Sequence, residues 1–346
     1  MKKNYTSWEL KISDFQNLKS EKDRVKFLIN FALLAPSSHN SQPWAFLVEG
    51  EHIIRVYADF SRALHESDIN NRQLYISLGC AITNILVAAD YFGYTADVST
   101  VPNSPERGLA AEITLTNIHK TIDSNHLIFS IIRRTNNRNK YDERQIPKKF
   151  IEEINNLKTE NVDISVICDQ QKRNELADVV LAAGETAMEN GKFRTELAGY
   201  VKSNVTNSGT GMPGFGLGIP TLPSLLASTM VKYLNMNRLT HGKDEKILKI
   251  HTPSFVIIST IKDTPIEWLE AGQIYQRIAL MATKEGLNTA IWAAAIQIES
   301  YYQSLQKIVN TNFRPQVFFR LGYTNKVPAH SPRLSLKDIM IVHGKH

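Results

Sequence analysis

The chain has 346 residues, 42% of them hydrophobic and 21% charged, with a formal net charge of +6 and two cysteines. That length exceeds what one small core needs and predicts two domains or two interlocked halves. The basic excess is modest and spread along the chain, which argues against a nucleic-acid partner. Cys80 and Cys168 have no CxxC spacing and no neighbouring histidine, which argues against a zinc site or a disulfide framework and fits a reduced, cytoplasmic setting.

Met1-Lys2-Lys3 is followed by Asn4-Tyr5-Thr6-Ser7-Trp8 rather than by an apolar stretch. The longest apolar helix candidate, near Leu78 to Phe92, carries Asn84 and Asp90. Neither a signal peptide nor a membrane span is expected, and no membrane partner. Ser20 and Asp23 resemble a capping box that opens an apolar run from Val25 to Leu34, and Ala45-Phe46-Leu47-Val48 reads as a buried strand. Between them, Ala35-Pro36-Ser37-Ser38-His39-Asn40-Ser41-Gln42-Pro43-Trp44 gathers hydroxyls and amides beside an indole. A loop that closes over an aromatic ligand needs that mixture. Trp44 is expected to pack beneath the loop and His39 to be exposed.

Further along come a strand at His52 to Tyr57, a helix from Leu78 to Gly93 and a strand at Glu112 to Leu115. A short helix at Leu127 to Ile132 leads into the basic cluster Arg133 to Lys140. That cluster suits one small phosphate better than a duplex; a solvated helix end is the alternative. A strand at Val162 to Cys168 and helices near Glu175 to Glu189 and Phe193 to Lys202 follow. Gly209 to Gly214 then spells GxGxxG, but no strand precedes it, and Pro213 and Pro220 bar the helix a dinucleotide site requires. The segment reads as a flexible loop or as a lid over an apolar ligand.

The helix from Leu78 has a counterpart from Ala271. Gly79 and Gly272, Ile85 and Ile278, Ala89 and Ala282, and Gly93 and Gly286 all share an offset of 193 residues (272 − 79). Strand candidates precede and follow both, Pro253 to Ile258 and Gln316 to Leu321 in the second copy. This predicts an internal duplication whose halves, 1–122 and 123–346, pair as an intramolecular pseudo-dimer. The second half carries an insertion over about 170–250.

Pro36-Ser37-Ser38-His39-Asn40-Ser41-Gln42-Pro43-Trp44 resembles the PSSxNxQPW segment of the nitroreductase family. Arg133-Arg134-Thr135 with Tyr141 resembles that family's RRSxRxF opening, and Ile146-Pro147 with Phe150 to Ile154 resembles the helix that follows it. Gly286 to Trp292 resembles the stretch beneath the flavin ring. Leu321-Gly322-Tyr323 with Ser331-Pro332-Arg333-Leu334 resembles the C-terminal strand and basic tail. The PSS and RRT segments lie in different halves, as in the single-chain, internally duplicated Acg-type branch.

The resemblance implies an α+β nitroreductase-like fold with one FMN per chain. It places Arg133, Arg134 and Arg333 near the phosphate, with Arg133 and Thr135 favoured as a pair. Pro36, Ser37, Ser38, Asn40 and Gln42 would meet phosphate, ribityl or ring-edge atoms, and Trp292 and Ala293 would line the ring. Extra residues before Tyr141 leave Arg138 without a clear role, and Ser331 stands where many members have a second basic residue. No acid, base, nucleophile or metal ligand is expected, because the flavin carries the hydride. The implied activity is NAD(P)H-dependent reduction of a nitroaromatic or quinone-like acceptor, by a monomer with internal pseudo-two-fold symmetry or a weak homodimer. The alternative is a lidded protein that stores or sequesters FMN.

Overall fold

The computed structural model describes residues 3–102, 104, 106–118 and 125–341. Among the described residues, eight strands form two main sheets. The first contains β1 (Trp44–Glu49), β2 (Ile53–Ala58), β3 (Tyr94–Thr100) and β4 (Leu109–Asn117), in the order β1-β2-β4-β3. The second contains β5 (Val162–Ile167), β8 (Ser254–Thr260), β9 (Leu287–Ile291) and β10 (Arg314–Tyr323), in the order β5-β8-β10-β9. Both are antiparallel throughout, and both place their first, second, fourth and third strands side by side. The two-residue strands β6 (Val201–Lys202) and β7 (Met212–Pro213) pair in parallel.

Ahead of the second sheet the helices are α1 (Glu21–Ala32), α2 (Arg72–Tyr91), α3 (Ile128–Ile131) and α4 (Lys148–Asn155). Between β5 and β8 lie α5 (Gln170–Glu189), α6 (Gly191–Tyr200), α7 (Thr221–Ser224), α8 (Ala227–Tyr233) and α9 (Met236–Lys249). The chain closes with α10 (Pro265–Lys284), α11 (Ala294–Gln297), α12 (Glu299–Val309) and α13 (Leu336–Ile339).

Ser20 caps α1 by accepting the Asp23 amide at 3.1 Å, as its position predicts. The two long helices α2 and α10 pack across the core between the sheets. Their closest approach is reciprocal. A Cβ on Gly79 would fall 2.1 Å from the Leu269 carbonyl oxygen, and one on Gly272 would fall 2.1 Å from that of Ile76. Because 269 − 76 equals 272 − 79, the same contact is made twice about a local pseudo-two-fold. Gly93 and Gly286 then end the two helices at φ +82° and +74°, which glycine adopts without steric cost.

The sequence places Gly79 and Gly272 at the start of these helices, whereas they lie mid-helix. The first turn of α2 is polar yet buried. Arg72 donates to Asp263 at 2.7 Å and to Gln297 at 2.9 Å, and the two amides of Gln73 and Leu74 donate to Asp68. Helix α2 is long and apolar enough to cross a bilayer by composition, but here it is a core helix, with 78% of that window buried.

The insertion holds more than the two helices and loop expected from sequence. Helices α5 and α9 pack together, and α6 and α8 form a small apolar cluster of their own around Ala198, Val201, Ala227 and Val231. The chain then returns to the first half. Ile341 donates its amide to Phe46 at 2.8 Å, and Met340 bridges to Phe46 in parallel. The halves therefore interlock through the tail, and the boundary expected at 122 lies outside the described residues.

Candidate flavin-phosphate site

The Pro36–Pro43 loop leaves the end of α1 and turns sharply. His39, Asn40 and Gln42 all adopt the left-handed region, at φ 51°, 54° and 53°. For non-glycine residues this carries a cost of about 1 kcal/mol each, and such strain persists only where neighbours over-determine it. Here they do. Asn40 is buried; its Nδ2 donates to Gly211 O at 3.0 Å and Pro332 O at 2.9 Å, and its Oδ1 accepts Arg333 Nη1 at 2.9 Å. Gln42 donates to Gly209 O at 2.8 Å and accepts the Leu334 amide at 3.0 Å. Ser37 Oγ accepts the Gln42 amide, and Ser38 Oγ donates to Gln73. The loop thus joins three distant segments, with Pro36 half-buried at its entrance and Trp44 fully buried beneath it, as expected.

His39 departs from the sequence expectation of an exposed side chain. It is part-buried beside Ser67 and Tyr200. Burial pulls its pKa down to about 4, Glu196 opposing the shift and Arg138 adding to it.

The basic residues divide sharply. Arg133 is exposed, and its Nε caps its own helix end by donating to Phe129 O at 3.0 Å. Of the expected pair, Arg133 therefore faces outward while Thr135 is half-buried; consecutive residues at a helix end point in different directions, so only one of two adjacent arginines turns inward. Arg134 is that one. It is 3% exposed and donates through Nη2 to Leu34 O at 3.3 Å. Arg333, 5% exposed, donates through Nη2 to the same carbonyl at 3.4 Å. Two guanidinium groups therefore share one backbone oxygen. Thr135 follows Arg134 half-buried, and the next residues run along β9, where Asn137 donates its amide to Thr289 O at 2.9 Å. Arg138 is exposed.

Among the described residues, Arg134 finds no partner for its buried Nε and Nη1, nor Arg333 for its Nε. Burial lowers the pKa of both, that of Arg333 to about 9, with Arg134 adding to the shift. Among the described residues, no carboxylate contributes to either shift. His330 is pushed down to about 4 by burial and then by these two arginines. Buried cations without a counter-ion cost several kcal/mol each. The cluster is short of negative charge, and a dianionic phosphate fits that deficit.

The N-terminal turn encloses the cluster from the other side, which the sequence did not reveal. Trp8 stacks on His330 at 3.8 Å and lies 4.8 Å from the Arg333 guanidinium carbon, and its Nε1 donates to Ser331 O. Asn4 O accepts the Arg333 amide. Trp292 extends the β9 edge, donating its amide to Phe318 O at 3.0 Å, and its indole Nε1 is buried without a partner. Ala293 follows at the start of α11, half-buried.

No family model matches the chain. Over 340 residues it is 24% identical to a Mycobacterium tuberculosis protein named "Putative NAD(P)H nitroreductase acg", covering 93% of this chain and 97% of that one. Over nearly its whole length the chain is thus similar to a protein named as a nitroreductase. An uncharacterized protein of the same organism is 22% identical over 333 residues, covering 91% of this chain and 92% of its own. Among solved structures, the FMN and NADPH-dependent nitroreductase NfnB from Sphigopyxis sp. strain HMH has a TM-score of 0.44 at 14% identity, covering 63% of this chain and 99% of its own. An iodotyrosine deiodinase bound to FMN and 3-iodo-L-tyrosine has a TM-score of 0.41 at 14% identity, covering 64% and 99%.

Proposed function

We propose that this chain is an FMN-dependent oxidoreductase that takes electrons from NADH or NADPH and passes them to a small electrophilic acceptor of the nitroaromatic or quinone class. The observation that carries the reading is the pair of buried arginines, Arg134 and Arg333, with three guanidinium nitrogens unpaired and no carboxylate among the described residues balancing their charge. The likeness to a protein named as an NAD(P)H nitroreductase supports the same class. When bound, FMN would supply hydride transfer at its own ring. The chain's part is to hold it: Arg134 and Arg333 at the phosphate, Ser37, Ser38 and the loop backbone near the polyol, and Trp292 with Ala293 near the ring. Asn40 and Gln42 act through others, since their polar atoms already hold Arg333, Pro332, Leu334 and the glycine loop.

The repeated sheet order and the reciprocal Gly79 and Gly272 contact support an internal duplication. Before β5 the second half has Asn156-Leu157-Lys158-Thr159-Glu160-Asn161 where the first has its PSS loop, which supports one flavin per chain. Storage of FMN without turnover has one specific observation in its favour, the glycine loop bonded down onto Asn40 and Gln42. A visible spectrum of the purified protein, before and after anaerobic NADPH, separates the readings. Bleaching on a turnover timescale supports the oxidoreductase and persistent yellow supports storage. A protein that stays colourless after incubation with FMN refutes both.

A further inference from the structure

The inserted helices carry a surface that the flavin reading does not use. Leu222, Leu225, Leu226, Tyr233, Leu234 and Leu239 are all exposed, Leu222 at 79% and Tyr233 at 69%. Their placement follows from helix periodicity. Helix α8 turns Ala227 and Val231 into the small cluster with Ala198 and Val201. Leu226 and Tyr233, at the two ends of α8, are directed outward. A large apolar residue left singly in water is ordinary; five along one pair of short helices and the adjoining turns, with Leu239 beyond them on α9, are not.

The charge pattern of the same segment is one-sided. Between Glu196 and Asp244 there is no acidic residue, whereas Lys202, Lys232, Arg238 and Lys243 all fall within it. Lys232 and Lys243 are exposed, and Lys232 lies 5.3 Å from the ring of Tyr233. Leucines and a tyrosine in a stretch whose own charges are basic up to Asp244, with Glu185 paired to its His241 at 2.8 Å, match the requirements of the headgroup region of an anionic bilayer: apolar side chains enter the acyl boundary while ammonium groups remain at the phosphate level. A second copy of the chain fits less well, because a two-fold contact through this face would set the same lysines against each other.

We infer that the α7–α8 face is a peripheral docking surface for an anionic lipid bilayer, lying in its plane without spanning it. This replaces the sequence-based expectation of no membrane partner, which rested on the lack of a span and of a leader. The inference is independent of the flavin site, and its test is read without FMN chemistry.

The full chain is sedimented with vesicles of phosphatidylcholine alone and with vesicles containing 30 mol% phosphatidylglycerol (about three in ten lipids anionic, enough to attract basic patches), at low and at physiological salt. Binding is expected to the anionic vesicles, weakening with salt, with little to pure phosphatidylcholine. The double variant Leu225→Asp/Leu226→Asp is expected to lose binding by about tenfold or more, and Lys232→Glu/Lys243→Glu by a similar factor. Both variants change exposed residues and should keep the wild-type thermal unfolding profile and FMN content. Three results overturn the inference: no sedimentation with anionic vesicles at low salt, equal sedimentation with both compositions, or a wild-type dimer in analytical ultracentrifugation that Leu225→Asp/Leu226→Asp dissociates, which would assign the face to a second copy.

Discussion

Arg134→Met separates a ligand-binding role from a structural one because the two roles predict opposite signs. Without ligand, the Arg134 side chain makes one hydrogen bond, to Leu34 O at 3.3 Å, and leaves two N–H positions buried and empty beside Arg333. Its removal forfeits about 1.5–3 kcal/mol for one bond from a charged donor. It also relieves several kcal/mol of desolvation and the repulsion from Arg333. Methionine fills a similar volume without a charge, so the ligand-free variant should be as stable as wild type or more so by up to about 4 kcal/mol. FMN affinity should move the other way. A lost charge-assisted phosphate contact weakens binding by about 1.5–3 kcal/mol, roughly tenfold to a hundredfold. Thermal unfolding of the FMN-stripped protein and titration by quenching of flavin fluorescence read the two quantities separately. Arg133→Met, at an exposed position, should change neither. Arg333→Met should lower both, because Arg333 donates to Asn40, Ser331, Pro332, Leu34 and Ala35. Wild-type FMN affinity in Arg134→Met would refute the phosphate assignment, and ligand-free destabilisation beyond about 3 kcal/mol would make Arg134 a structural tie.

Gly79→Ala and Gly272→Ala should each destabilise the fold by at least about 3 kcal/mol in chemical denaturation, since the added methyl meets backbone oxygen at 2.1 Å and neither helix can retreat from a packed core. Equal loss at the two positions would reflect the pseudo-two-fold; a silent substitution at either would disprove the close crossing. His330 is held near pKa 4 by burial and by the two arginines, so between its unfolded value near 6.5 and about 4 the unfolded chain binds the extra proton. Its contribution to stability is present above that window and lost as pH falls through it. His330→Phe, which keeps a ring against Trp8, should flatten this limb in melts from pH 7 to pH 4, and an unchanged limb would show that His330 is already solvated. Asn40→Ala removes the bonds to Gly211, Pro332 and Arg333. It should speed proteolytic nicking of the 209–220 loop at least severalfold and weaken FMN binding, whereas unchanged proteolysis would show that the loop is held elsewhere.

The parts of this chain that were legible in its sequence are those where polarity and burial agree. The cap at Ser20, the buried strand after Trp44 and the paired glycines at 93 and 286 each follow a local rule that packing does not override. The central crossing was half legible: the offset of 193 residues identified equivalent positions, but the start of α2 was hidden because Arg72 and Gln73 are polar and buried. Strand β3 had a period-two signal in Tyr94, Ala96 and Val98 alternating with exposed Thr95, Asp97 and Ser99, which its polar face obscured. Arg134 could not be separated from Arg133 by residue type, because an arginine reads as surface wherever it stands; only the turn of the helix end decides which one is enclosed. The same holds for Asn40 and Gln42. Their residue types suit a ligand, yet three positive φ angles in four residues are sustained by bonds to segments some 170 and 290 positions away. The segment therefore works as a joint: Asn40 holds Arg333, while Arg134 and Arg333 meet at the Leu34 carbonyl just ahead of it.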